Sequence, residues 1–313
     1  MNAAFFIDAL VTVIGVTTPI LLAATGELVV EKSGVINLGV EGMMLVGAVT
    51  AFAIAFDFGP SLGDAASWVA VLCAALAGAL SSMLFAVLAL TLGSNQVATG
   101  LALTIFGIGL SSLMGAGYVG MTVPSFDSFF PDALASDPIW RVVFGYSPLV
   151  YFAVVMVFVV GWFLNRTRAG LVLRAVGEND ISAHSIGYPV IGIRYATIAF
   201  GGAMAGIGGS YFSMVITPMW AEQMTAGRGW IALALVVFSG WRAGRLLAGA
   251  YFFGVLMTLE LYAKASGFSF LPSQFWAAMP YLMAVAVLAV ISARGVAGSE
   301  APACLGRPFL PNS

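Results

Sequence analysis

The residues best placed to do chemistry sit in one polar-punctuated stretch, Glu31 to Met43, between apolar runs of a chain with 8% charged residues. It holds Glu31, Lys32, Asn37 and Glu41. A charged side chain at the bilayer centre costs roughly 2.5–3.5 kcal/mol on insertion scales, so Glu41 has to face protein or water rather than lipid. Asn37 and Glu41 are four residues apart, and on a helix they would share one face. The pair reads two ways: a hydrogen-bonded lock on a broken helix, or groups lining a passage. A second polar intrusion, Asn95, Gln96 and Thr99, opens a later apolar run. It adds further passage candidates, although Ser94 or Asn95 also suits a helix N-cap. Glu260 and Lys264 read first as a local i,i+4 pair near the headgroups.

Other patterns fail their context. Gly26 to Ser33 resembles a P-loop by spacing, but Glu31 stands where the second glycine belongs and would repel phosphate. ATP binding by this chain is therefore excluded. Gly115-Ala116-Gly117-Tyr118-Val119-Gly120 spells a dinucleotide fingerprint, yet it closes an apolar span instead of joining a strand to a helix. Cys73, Cys304 and the single His184 form no disulfide framework and no metal set. No basic patch suits nucleic acid. The expected site inventory thus has no catalytic residue, no metal and no cofactor.

The elements that must position these groups follow from composition. The chain has 313 residues, of which 61% are hydrophobic and only 8% charged, against roughly 25% charged in soluble domains. Lipid must be the solvent for much of its surface. One transmembrane domain over residues 1–313 is expected: an all-α polytopic bundle of about eight or nine helices. Runs near 5–25, 36–56, 66–91, 97–117, 149–164, 190–216 and 274–292 have the length of spans. The region 229–262 is a further pair or a broken segment. Met1 to Leu22 lacks Lys and Arg, so it reads as a retained helix, not a cleaved leader.

Arg166, Arg168 and Arg174 mark a cytoplasmic loop, about 166–189, which places the loop at about 118–147 outside. Arg242, Arg245, Arg294 and Arg307 put the C-terminus inside if 229–239 crosses; a re-entrant 229–239 would flip every later assignment. Gly202, Gly206 and Ser210, with Gly201, Ala205, Gly209 and Ser213, form small-residue ridges suited to packing inside the bundle. Trp220, Trp230, Trp241 and Trp276 read as interfacial anchors. The stretch Arg166 to Gly187 is amphipathic and broken at Gly177, which suggests two short helices.

Three segments carry a resemblance: Gly26-Glu27-Leu28 through Glu41-Gly42-Met43-Met44, Gly170-Leu171 through Asn179, and Gly229-Trp230-Ile231-Ala232-Leu233-Ala234 through Gly240-Trp241. Together they resemble the small-solute permeases of bacterial ABC importers, the group serving ribose, nucleosides and branched-chain amino acids. The wording Asn37-Leu38-Gly39-Val40-Glu41-Gly42 is most similar to the nucleoside and simple-sugar branch. Asp180 departs from the family, where proline is frequent, and the turn from Gly240 to Arg245 is richer in arginine.

The resemblance implies a type II importer fold in the bacterial cytoplasmic (inner) membrane. It implies an ATPase partner that holds ATP and Mg, and a periplasmic or lipid-anchored binding protein. It also implies a second, longer permease subunit as heterodimer mate. It assigns Arg174, Ala175, Val176, Gly177, Glu178 and Asn179 to coupling with the ATPase. The expected function is ATP-driven import of nucleosides or related ribosyl or sugar solutes. The alternatives are a permease for sugars or branched-chain amino acids, and an ion-coupled secondary transporter using Glu41 and Glu260.

Overall fold

The computed structural model describes residues 3–131, 134, 137–265, 272–293 and 301–309. Helix α1 (Ala3–Lys32) runs past the expected end near residue 25 and stops where Gly34 turns to φ +90. After a buried loop come α2 (Val40–Leu62), α3 (Ala66–Ala86) and α4 (Gln96–Gly115). Gly63, at φ +53, lets α3 fold back on α2, and a π turn at Val87–Thr91 ends α3. Next are α5 (Pro138–Phe144), α6 (Pro148–Arg166), and two short helices, α7 (Arg168–Glu178) and α8 (Asp180–Ser185). The described chain then holds α9 (Val190–Tyr211), α10 (Arg228–Phe238), α11 (Ala243–Ala265) and α12 (Ser273–Ala293). Segments Phe5–Lys32, Val40–Thr91, Gln96–Tyr118, Pro148–Arg166 and Val190–Ile216 are long and apolar enough to cross a membrane.

Helix α9 forms the spine. Its small residues let three helices approach backbone to backbone, as the ridges suggested. Gly202 and Gly206 meet Gly78 and Ala74 of α3, Gly201 meets Gly26 of α1, and Gly209 meets the Met44 carbonyl of α2. Ser213 adds a hydrogen bond of 2.8 Å to the Ala48 carbonyl. Close approach of this kind replaces the hydrophobic drive that lipid cannot supply.

The two faces are set by contacts. Arg141 pairs with Asp8 at 3.4 Å, and the Tyr118 hydroxyl donates to Asp57 at 2.6 Å, so the loop after α4 lies with the start of α1. On the opposite face, the tail reaches α7: the Cys304 amide donates to the Gly177 carbonyl at 2.9 Å. A chain that leaves α6 on that face and returns to it must cross an even number of times. Helices α9, α11 and α12 make three crossings, so the 217–238 segment is the fourth and does not re-enter. With α1 to α4 and α6, nine segments of the described residues run between the two faces, one of them broken; among these lie the five stretches long and apolar enough to cross a membrane by themselves.

Two tryptophans expected at interfaces are inside instead. Trp220 is fully buried beside Gly115, and Trp241 is buried against α1. The Trp220 indole fills the gap that Gly115 leaves beside α4. Asp132 and Arg294, and the side chains of Glu260 and Lys264, lie outside the described residues.

Candidate functional site

The loop between α1 and α2 climbs back into the bundle instead of resting at its edge. The Asn37 amide reaches the Glu27 carboxylate of α1 at 3.3 Å, and Thr104 of α4 donates to the Leu38 carbonyl at 2.9 Å. The Ile36 amide donates to Gln96 Oε1 at 2.9 Å. Glycines make the climb possible. A Cβ at Gly100 would press on the Leu38 backbone, and one at Gly107 on the Gly42 backbone. Asn37 is therefore not on a helix with Glu41. Gly34 has broken the helix, and Asn37 Oδ1 accepts from the Gly39 amide at 2.9 Å, a local turn that competes with helix.

Glu41, in the first turn of α2, holds the broken crossing together. Its Oε1 accepts from Thr225 Oγ1 at 2.6 Å and from the Gly227 amide at 2.7 Å. Its Oε2 accepts from the Gly229 amide at 2.7 Å. These amides are the orphan donors at the start of α10, so the carboxylate both caps α10 and opposes its positive end. The other polar candidates also have internal partners. Asn95 caps α4 through the Ala98 amide at 3.0 Å. Thr99 Oγ1 donates to the Asn95 carbonyl at 2.8 Å and lies 2.7 Å from Ser94 Oγ. Gln96 also reaches the Arg307 carbonyl of the tail at 3.4 Å.

Two more carboxylates, Glu27 and Glu31, are buried on α1. Trp241 Nε1 donates to Glu31 Oε2 at 2.6 Å, tying the turn after α10 to the end of α1. The two helix ends that flank the α1–α2 loop thus hold both ends of α10: Glu41 of α2 at its start and Glu31 of α1 at its close.

Helices α7 and α8 stand outside the crossings. Thr167 caps α7 through the Gly170 amide at 3.0 Å, and Asn179 caps α8 through the Ser182 amide at 2.8 Å. Among the six coupling candidates, Val176 and Gly177 are buried; Gly177 packs on the Lys32 carbonyl and Pro302. Arg174 is half-buried and lines a cavity of about 470 Å³ with Lys32, Asn165 and Arg242. Ala175, Glu178 and Asn179 are exposed. The outward surface continues along α8 and the turn after it, where Ile181, Ile186 and Tyr188 are exposed apolar side chains.

The anchor beneath this surface is a pair that sequence reading missed. Arg194 of α9 is fully buried; its Nε donates to the Ser33 carbonyl and its Nη2 to Asp180 Oδ2, both at 3.1 Å. The signal was present in two places. Asp180 is a carboxylate fourteen residues before Arg194, and Arg194 is the single charge in its apolar run. The tail straps the same junction, with the Gly306 amide on the Gly34 carbonyl at 3.0 Å and the Ala303 amide on Glu178 Oε2 at 3.4 Å.

Residues 9–291 match the family described as branched-chain amino acid transport system / permease component. A putative glucose ABC transporter permease, TsgC13 of Haloferax volcanii, is 37% identical over 87% of each chain. The guanosine ABC transporter permease NupQ of Bacillus subtilis is 30% identical over 93% of each chain. The nucleoside ABC transporter permease NupC of Lactococcus lactis is 27% identical over 90% of this chain and 91% of its own. No solved structure matches the chain.

Proposed function

The chain belongs to the branched-chain amino acid transport system / permease component family, and from that premise we propose the following function. It is the membrane-spanning permease subunit of an ABC importer for nucleosides or sugars, with nucleosides as the first reading. The observation that carries this is the α7–α8 pair. It stands outside the helix bundle, presents Ile181, Ile186 and Tyr188, and is rooted by a buried ion pair in the central helix. Apolar side chains exposed off the membrane suit a protein partner. An ATPase binding there supplies the energy, and a binding protein presents solute on the opposite face.

The geometry also suggests how motion travels. A push on α8 acts through Asp180 on Arg194 and so on α9 and on the Ser33 carbonyl. The 33–39 loop is pinned to Glu27, Gln96 and Thr104, and leads into Glu41, which holds the start of α10. The ATPase shifts the balance of two bundle states only by contacting α7–α8 differently in each.

Nucleosides as first reading draw support from the names of NupQ and NupC; a sugar draws support from TsgC13. A second, longer permease as heterodimer mate and the bacterial inner membrane complete the reading. The test is uptake by proteoliposomes holding this chain with its mate, the ATPase and the binding protein. ATP-dependent uptake of a labelled nucleoside or sugar is expected. Uptake driven by a proton or sodium gradient without ATP would overturn the reading. Ile186→Asp should abolish ATPase capture in pull-down while the chain still inserts.

A further inference from the structure

The broken crossing poses a problem that the hydrogen bonds of Glu41 do not solve. Irregular backbone is tolerated at membrane depth only where protein buries it or water lines it. The 217–227 segment is such backbone. Gln223 and Ala226 have left-handed φ values of 53 and 47, and both are exposed, as is Glu222. Its depth can be counted. Ile108, which lines the same cavity as Gln223, is twelve residues into the twenty-residue α4, about 18 Å along it. From Gly229, α10 still has ten residues, about 15 Å, to run before its closing turn at Ser239. The exposed face therefore lies near mid-depth, where Gln223 and an irregular main chain cannot meet lipid.

A cavity of about 290 Å³ opens on this face, lined by Glu41, Leu45, Ile108, Gln223, Trp230 and Tyr281 among others. Its chemistry is selective. Trp230 and Tyr281 offer exposed aromatic rings, Leu45 and Ile108 offer apolar walls, and Gln223 offers an amide with both donor and acceptor. The start of α10 would otherwise attract an anion. Glu41 already occupies those amides, so the cavity recruits no phosphate. The neighbouring cation is also turned away: the Arg228 guanidinium sits 4.9 Å from the ring centre of Phe212. What remains fits an uncharged solute with a flat face and a hydrogen-bonding edge.

We propose that Gln223, Trp230 and Tyr281 form the solute-contacting wall of a water-filled passage at mid-membrane, and that the solute is an uncharged nucleoside whose base stacks on Trp230. The volume is at the lower end of the roughly 300–1,000 Å³ of small-ligand pockets, as suits one wall completed by a second subunit. Glu41 is a positioning residue here: it holds the start of α10 so that Trp230 and Gln223 face the passage. The inference rests on the importer reading above, with nucleosides as its solute, and adds the residues that meet that solute.

The test uses the complete transporter in proteoliposomes, with Cys73 and Cys304 replaced by serine. Wild type is measured first. Absence of ATP-dependent uptake of any nucleoside or sugar would sink the importer reading itself. Uptake of sugars alone would leave that reading standing and overturn the nucleoside assignment. With nucleoside uptake established, Trp230→Leu should lower the maximal rate about tenfold, in line with the loss of one base–aromatic stack, and should change the ratio of purine to pyrimidine rates. Equal slowing of every solute would mark a structural residue and overturn the wall. The second measurement is independent of transport rate. Gln223→Cys and Trp230→Cys should react with a small membrane-impermeant thiol reagent, while Leu80→Cys on the exposed side of α3 should not. Protection of both from the reagent would place this face in a closed subunit seam, and the passage would be lost.

Discussion

From its residue type and depth Glu41 reads as a lock on a broken helix or as a group lining a passage. Its two oxygens are taken by Thr225, Gly227 and Gly229 at 2.6–2.7 Å. An unmet buried donor costs about 1–3 kcal/mol, so Glu41→Ala, which orphans several, should lower the thermal unfolding midpoint in detergent by several degrees. Glu41→Gln should fall between, since one carbonyl oxygen still accepts while its NH2 opposes amide donors. Equal stability of the alanine variant and wild type, read by thermal size-exclusion assay, would refute the capping role. Arg194 follows the same logic. Removing one partner of a buried pair costs about 3–5 kcal/mol, because the other charge is left without compensation. Asp180→Asn should thus weaken the grip on α8 and uncouple ATP hydrolysis from uptake, visible as more ATP consumed per solute imported. An unchanged ratio would count against transmission through this pair.

Among the elements, α9 is the one whose sequence states its role most directly. Glycines four apart are meaningful only if another backbone must come close, and Gly206 and Gly209 do meet the Ala74 and Met44 carbonyls. Gly206→Val should prevent assembly of the bundle and leave no monodisperse protein on a sizing column. Gly192→Ala, where the added carbon finds only Pro189 at 3.7 Å, should behave as wild type. The α1–α2 loop shows where such reading stops. A run of 36–56 looked like one span because Val35, Ile36 and Leu38 are apolar. They are apolar because the loop is buried, not because it is helical. Hydropathy cannot separate those causes; the glycines at 34, 100 and 107 that admit the loop act from three distant places. The tail is likewise silent in sequence, since its bonds to Gly34 and Gly177 are made by backbone atoms common to every residue type. Truncation after residue 300 should raise hydrogen exchange over 174–187, while leaving α9 protected.

For the whole molecule, the nine crossings predict opposite accessibility for two engineered thiols in a cysteine-free background. Ser125→Cys should react from the face that holds Asp8 and Arg141, and Ser185→Cys from the face that holds α7, α8 and the tail. Reaction of both from one side would break the topology. Residue types and their local order decided that lipid is the solvent, that the architecture is helical, and that the loop at 166–189 holds two short helices, although the break falls at Asn179 and Gly177 lies inside α7; each of these depends on local hydropathy, charge and breaker residues. Whether 217–238 crosses, which carboxylate caps which helix, and that Arg194 meets Asp180 were decided only in the folded chain. Those facts join residues that are far apart in sequence, and one-dimensional periodicity holds no record of which distant groups will satisfy a buried donor.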